Sequence, residues 1–101
     1  MSHAREGVQR LEKEIAGEKA AALGRAGERL EAALVRAAAV GRALDTAADA
    51  IARERLTTEY DAACREAEQA RLSLLIQREA VGLRQHRVVD QQFPAPPRRR
   101  P

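Results

Sequence analysis

A chain of 101 residues allows one domain, and an aromatic content of 2% leaves out the large side chains on which a globular core is usually built. Charged residues make up 33% and alanine leads the remainder, a mixture that suits long helices and coiled coils. The net charge of +3 would point to an anionic partner, but residues 1–88 carry 15 Lys and Arg against 14 Asp and Glu, so most of the excess sits in Arg98, Arg99 and Arg100 at the end.

From Leu11 the apolar positions run through Ile15, Ala22, Leu23, Ala26, Leu30, Ala33, Leu34, Ala37, Val40 and Leu44. Steps of three and four residues predict an amphipathic helix whose buried stripe is mostly alanine. Acid-before-base pairs four apart, Glu6 with Arg10, Asp49 with Arg53 and Asp61 with Arg65, predict a solvated polar face. Gly24 and Gly27 inside this arm mark either close helix approach or a local weak point.

A turn is expected near 41–46, where Gly41 could end one helix. Thr46, with Asp49 three residues on, would then cap the next. Two antiparallel arms of about 38 and 42 residues follow, which would set Leu23 beside Ala63 and Ala67, Leu30 and Leu34 beside Ala52 and Leu56, and Ile15 beside Ala70 and Leu74. The expected fold is therefore all-α: an antiparallel helical hairpin over residues 1–89, followed by an extended tail over 90–101.

Such a hairpin has too little core to stand alone. Leu72, Leu74, Leu75, Ile76, Val81 and Leu83 spread around more of the second helix than one arm can cover, and they are the expected helical interface. Pairing of two copies into a four-helix bundle, a homodimer, is the first expectation; a groove for another protein's helix is the second.

Beyond Val89 the prolines at 94, 96 and 97 predict an extended, polyproline-like segment. Phe93, Pro94, Pro97, Arg98, Arg99 and Arg100 are the candidate tail contacts. The run from Pro94 to Arg99 satisfies the spacing read by grooves that bind proline-rich peptides, while Phe93 and Pro94 could instead fold back on the helices as an apolar latch. Three arginines without aromatic neighbours make a weak, salt-sensitive phosphate contact, so binding of nucleic acid or an anionic surface is the alternative function.

Catalytic, cofactor and metal residues are all expected to be absent. Glu-x-x-His, which a carboxylate-bridged metal site in a bundle needs, does not occur. His86 reads as a surface residue in the last turn of the second helix, and no Gly-Lys-Ser/Thr ending suggests a phosphate loop. Cys64 and Tyr60 read as packing residues, since a thiolate would need a nearby base. A lone cysteine excludes an intrachain disulfide and fits a reducing cytoplasm. The residues before Gly7 lack a secretory pattern, and no apolar stretch approaches a membrane span. The expected function is a non-catalytic structural or adaptor protein acting through helix–helix association and its tail.

Overall fold

The structure, a computed structural model, describes residues 2–99, of which three helices form the body: α1 (Ser2–Thr46), α2 (Ala50–Ala80) and the short α3 (Arg87–Gln92). α1 and α2 pack antiparallel as a hairpin, and with α3 and the tail laid along it the molecule measures 74 × 22 × 14 Å. Most of the long dimension is α1, whose 45 residues at about 1.5 Å each make a rod of about 68 Å.

The turn falls at 47–49, later than the 41–46 expected, because the local signals act differently from their first reading. Gly41 keeps helical geometry and is buried against α2 and the tail. The capping residue is Asp49 and not Thr46: its carboxylate accepts the Ala52 N–H at 3.0 Å, while the Thr46 hydroxyl bonds back to the Ala43 carbonyl. Arg53 closes the corner from inside α2, donating to the carbonyls of Leu44 (3.1 Å) and Ala47 (3.0 Å) where α1 ends.

Two cross-links record the register. Arg29 donates to the Ser73 hydroxyl at 3.3 Å, and Arg36 is paired with Glu66; seven residues forward on α1 is seven back on α2. A hairpin's partners shift by twice the displacement of its turn, so the cross-helix pairings expected from a turn near 44 do not form. Leu23 lies near Ala80 and Val81 at the far end of α2, and Leu30 packs in one cluster with Ala67, Ala70 and Leu74. Ile15 has no counterpart on α2 and is 43% exposed.

The principle of bulky against small does hold. Of the buried apolar residues, Ala26, Ala33, Ala37, Ala63, Ala67 and Ala70 line the seam, with Leu30, Leu44, Tyr60, Leu74 and Val89 filling around them. Alanine lets the two axes approach closely.

α2 stops at Ala80 because Gly82 takes φ of 89°, a left-handed conformation that glycine adopts without penalty. The Gly82 N–H bonds to the Glu79 carbonyl (3.0 Å) and that of Leu83 to the Arg78 carbonyl (2.9 Å), which is the Schellman arrangement. His86 consequently lies past the end of α2, at the start of α3, beside Glu79 at 3.1 Å. Residues 90–92, expected to be extended, complete α3, which carries Val89 into the core cluster. The bidentate pair from Arg71 to Asp90, at 2.8 and 3.1 Å, ties α3 to α2.

Gly24 and Gly27 do not mark close approach: a methyl group added at either would meet nothing within 4 Å. Gly24→Ala is therefore expected to stabilise the fold by about 0.5–1 kcal/mol, read as a raised melting temperature. The same change at Gly41 would bring the new methyl to 3.0 Å from the Arg99 guanidinium and 3.3 Å from the Tyr60 ring, and is expected to lose that gain.

Candidate functional site

Two regions hold the features that packing of one hairpin does not use up: the seat of the tail, and the first third of α1.

The tail runs back over the hairpin toward its turn. Phe93 packs on the core cluster, and Pro94 is exposed. The Tyr60 hydroxyl then donates to the Pro97 carbonyl at 2.6 Å. Arg99 reaches Asp45, at the end of α1, at 2.5 Å, and its guanidinium lies over the Tyr60 ring, 5.0 Å from the centroid. Gly41 makes room for this arrangement, since only a hydrogen stands where a side chain would press on both Tyr60 and Arg99. The Nε–H of Arg99, buried here, finds no acceptor among the described residues, so the clasp gives up part of what it gains. Arg98 is exposed, and Arg100 lies outside the described residues.

Hydrogen bonding from Arg99 holds the Asp45 carboxyl below its ordinary value of 3.8, and the bond from Arg71 does the same for Asp90. Burial pushes the Tyr60 phenol above its ordinary 10.0, against the opposing pull of Arg99. The contribution of each carboxylate pair is present above 3.8 and is lost as pH falls through the lower folded value; that of Tyr60 is lost as pH rises through its raised value. Acidification below the ordinary carboxylate range is expected to release the tail before the hairpin melts, and an NMR titration following Ala95 and Arg98 together with Ala63 would show the two events separated. Coincident loss of both sets of signals would mean that the tail and hairpin form one unit.

Between the tail and the hairpin lies a groove of about 640 Å³ lined by Leu34, Tyr60, Cys64, Arg71, Phe93 and Pro97 among others. Two pairs in its lining are already engaged with each other, Tyr60 with Pro97 and Arg71 with Asp90. Cys64 is half-buried there with no histidine beside it. Among the described residues no three His, Cys, Asp or Glu side chains come together as metal ligands.

The expected helical interface divides. Leu74 is buried at 5% exposure and Leu75 packs against the same cluster, so both serve this chain's own core, because the actual register turns them toward α1 and α3. Leu72 (51%) and Ile76 (64%) point away from α1, one turn apart on the outer side of α2. Val81 and Leu83 lie in the α2–α3 connection, half-open.

The first third of α1 is different in kind. Val8, Leu11 and Ile15, at 55%, 56% and 43% exposure, stand on the three-and-four line that continues into the buried residues Ala26, Ala33 and Leu44. They prolong the face that α2 covers farther along, at a level that α2, 14 residues shorter as 31 against 45, does not reach. A shallow groove lined by Ala16, Lys19, Ala20, Leu23, Ala80 and Val81 marks where the cover ends. Sequence reading assigned Leu11 and Ile15 to a seam with the second arm and missed Val8; the signal that could have corrected it was Gly82 as the end of α2.

No family model matches the chain, and no curated protein or solved structure matches it. What the structure defines is an all-helical hairpin with two long helices packed together. Among the described residues, no helix is long and apolar enough to cross a membrane.

Proposed function

We propose that this chain is a non-catalytic structural or adaptor protein that works by helix–helix association, in a reducing compartment such as the cytoplasm where its single thiol stays reduced. The observation that carries the reading is the apolar face of α1 at Val8, Leu11 and Ile15, which continues the hairpin's own seam beyond the end of α2. A helix exposing that line to water lacks the tertiary packing from which helices of this length draw most of their stability. Side-by-side pairing of two hairpins into a four-helix bundle would rest on the outer face of α2, where Leu72 and Ile76 are flanked by Gln69 and Glu79 and offer a sparser contact.

The tail plays a smaller part in this reading than its composition suggests. A groove that reads proline-rich peptides would have to displace the Tyr60–Pro97 bond, and an anion would have to compete with Asp45 for Arg99. Were the basic tail the working part, binding to nucleic acid would fall steeply with salt and vanish on deletion of residues 94–101.

Hydrogen exchange on dilute chain tests the association reading. Amides of residues 5–16 are expected to exchange far faster than those of 26–44 in the monomer, and to gain protection when α1 is covered. Equal protection of both stretches in a monomer would show that the open face needs no partner and would overturn the proposal.

A further inference from the structure

Resting on the association function proposed above, we infer that the occupant of the open face of α1 is the same segment of a second copy of this chain, laid antiparallel across it. Val8 packs on Leu11 of the second copy, Ala4 packs on its Ile15, and Arg5 pairs with its Glu12.

Direction follows from what is already in place. From about Ala16 onward the same face of α1 is taken by α2, whose last residues Ala80 and Val81 border the groove there. A second copy laid parallel would carry its own α2 into that occupied space. Laid antiparallel, its α1 takes up the line of α2 where α2 stops, and the two hairpin bodies extend to opposite ends.

Register follows from spacing and charge. Ala4, Val8, Leu11 and Ile15 are spaced four, three and four apart, the alternation of core positions in a two-helix seam. About a two-fold axis, the one alignment that sets Val8 against Leu11 also sets Ala4 against Ile15, giving four apolar layers. On one flank of those layers Arg5 meets Glu12 twice, once for each copy; on the other Gly7 meets Glu14, with no like charges opposed. The interface is self-complementary, as a two-fold contact must be. Four layers bury less than a strong interface does, so association is expected at roughly micromolar to sub-millimolar concentration.

Sedimentation equilibrium of the full chain between about 10 µM and about 1 mM tests this. The wild type is expected to reach dimer, and Leu11→Glu to remain monomeric. Arg5→Glu and Glu12→Arg are each expected to weaken association about tenfold, and the double variant Arg5→Glu/Glu12→Arg to return to within about threefold of wild type. Arg5→Glu adds an acid to the first turn of α1, which favours the helix, so its loss of dimer would not reflect a lost helix. Leu72→Glu is the control and is expected to leave the dimer intact.

A dimer that survives Leu11→Glu but is lost in Leu72→Glu overturns the inference in favour of side-by-side bundling and leaves the association function standing. A chain that is monomeric at about 1 mM also overturns it; fast exchange at residues 5–16 in that monomer would keep the broader reading, and slow exchange there would end both. Failure of the double charge reversal to restore what the single changes remove overturns the register.

Discussion

Leu30→Ala is expected to cost about 2–5 kcal/mol of stability, a large share of the roughly 5–15 kcal/mol that holds a folded domain together. The size of the effect comes from what surrounds the residue. Leu30 is 2% exposed and packs with Ala26, Ala33, Ala67 and Ala70, whose single methyl groups cannot extend to fill the space a lost isobutyl group leaves. Contraction would need the helices themselves to move closer, and an alanine seam already holds them near. Urea denaturation followed by circular dichroism measures the change. A loss below about 1 kcal/mol would mean that the seam repacks freely and that Leu30 is not its anchor.

The second large effect is expected at Tyr60, the one aromatic side chain that is fully buried, at 3% exposure. Tyr60→Ala removes the ring on which Arg99 lies, the donor to the Pro97 carbonyl and the wall against Gly41, and should cost about 3–5 kcal/mol. Tyr60→Phe keeps the ring and removes the bond, leaving the Pro97 carbonyl to water at the open side of the groove, and should cost about 1 kcal/mol. The pair of variants separates packing from hydrogen bonding at the clasp. Equal losses in both would place the whole effect in the hydroxyl and contradict the burial argument.

Much of the fold was legible because helix periodicity is a property of neighbours in sequence. The stripe from Leu11 to Leu44 and its alanine content follow from spacing alone, while the hairpin needed in addition a break near the middle and two arms of similar length. The register did not, because it depends on which of several plausible caps wins. Gly41 and Thr46 look like a stop and a start, yet Gly41 lies on the buried face of α1, where continuing the helix gains contact with α2, and Asp49 offers a better-placed cap. The end of α2 hinged on Gly82, a single residue whose left-handed turn redirects the chain and opens the start of α1 to water. The clasp was hidden for a different reason. Asp45, Tyr60 and Arg99 carry no local pattern; they meet only after α3 and the tail have been turned back over the hairpin.

That return path also has a kinetic meaning. The Arg99–Asp45 pair joins residues 54 apart in the chain, whereas α1 and α2 can zip outward from the turn that Asp49 and Arg53 close. Closing a long loop is worthwhile only after the surface that receives it exists. The tail is thus expected to dock last, with its contacts absent from the barrier-crossing state. Loosening it would leave the refolding rate nearly unchanged and speed unfolding, so the clasp acts as a lock on the lifetime of the hairpin once it has formed.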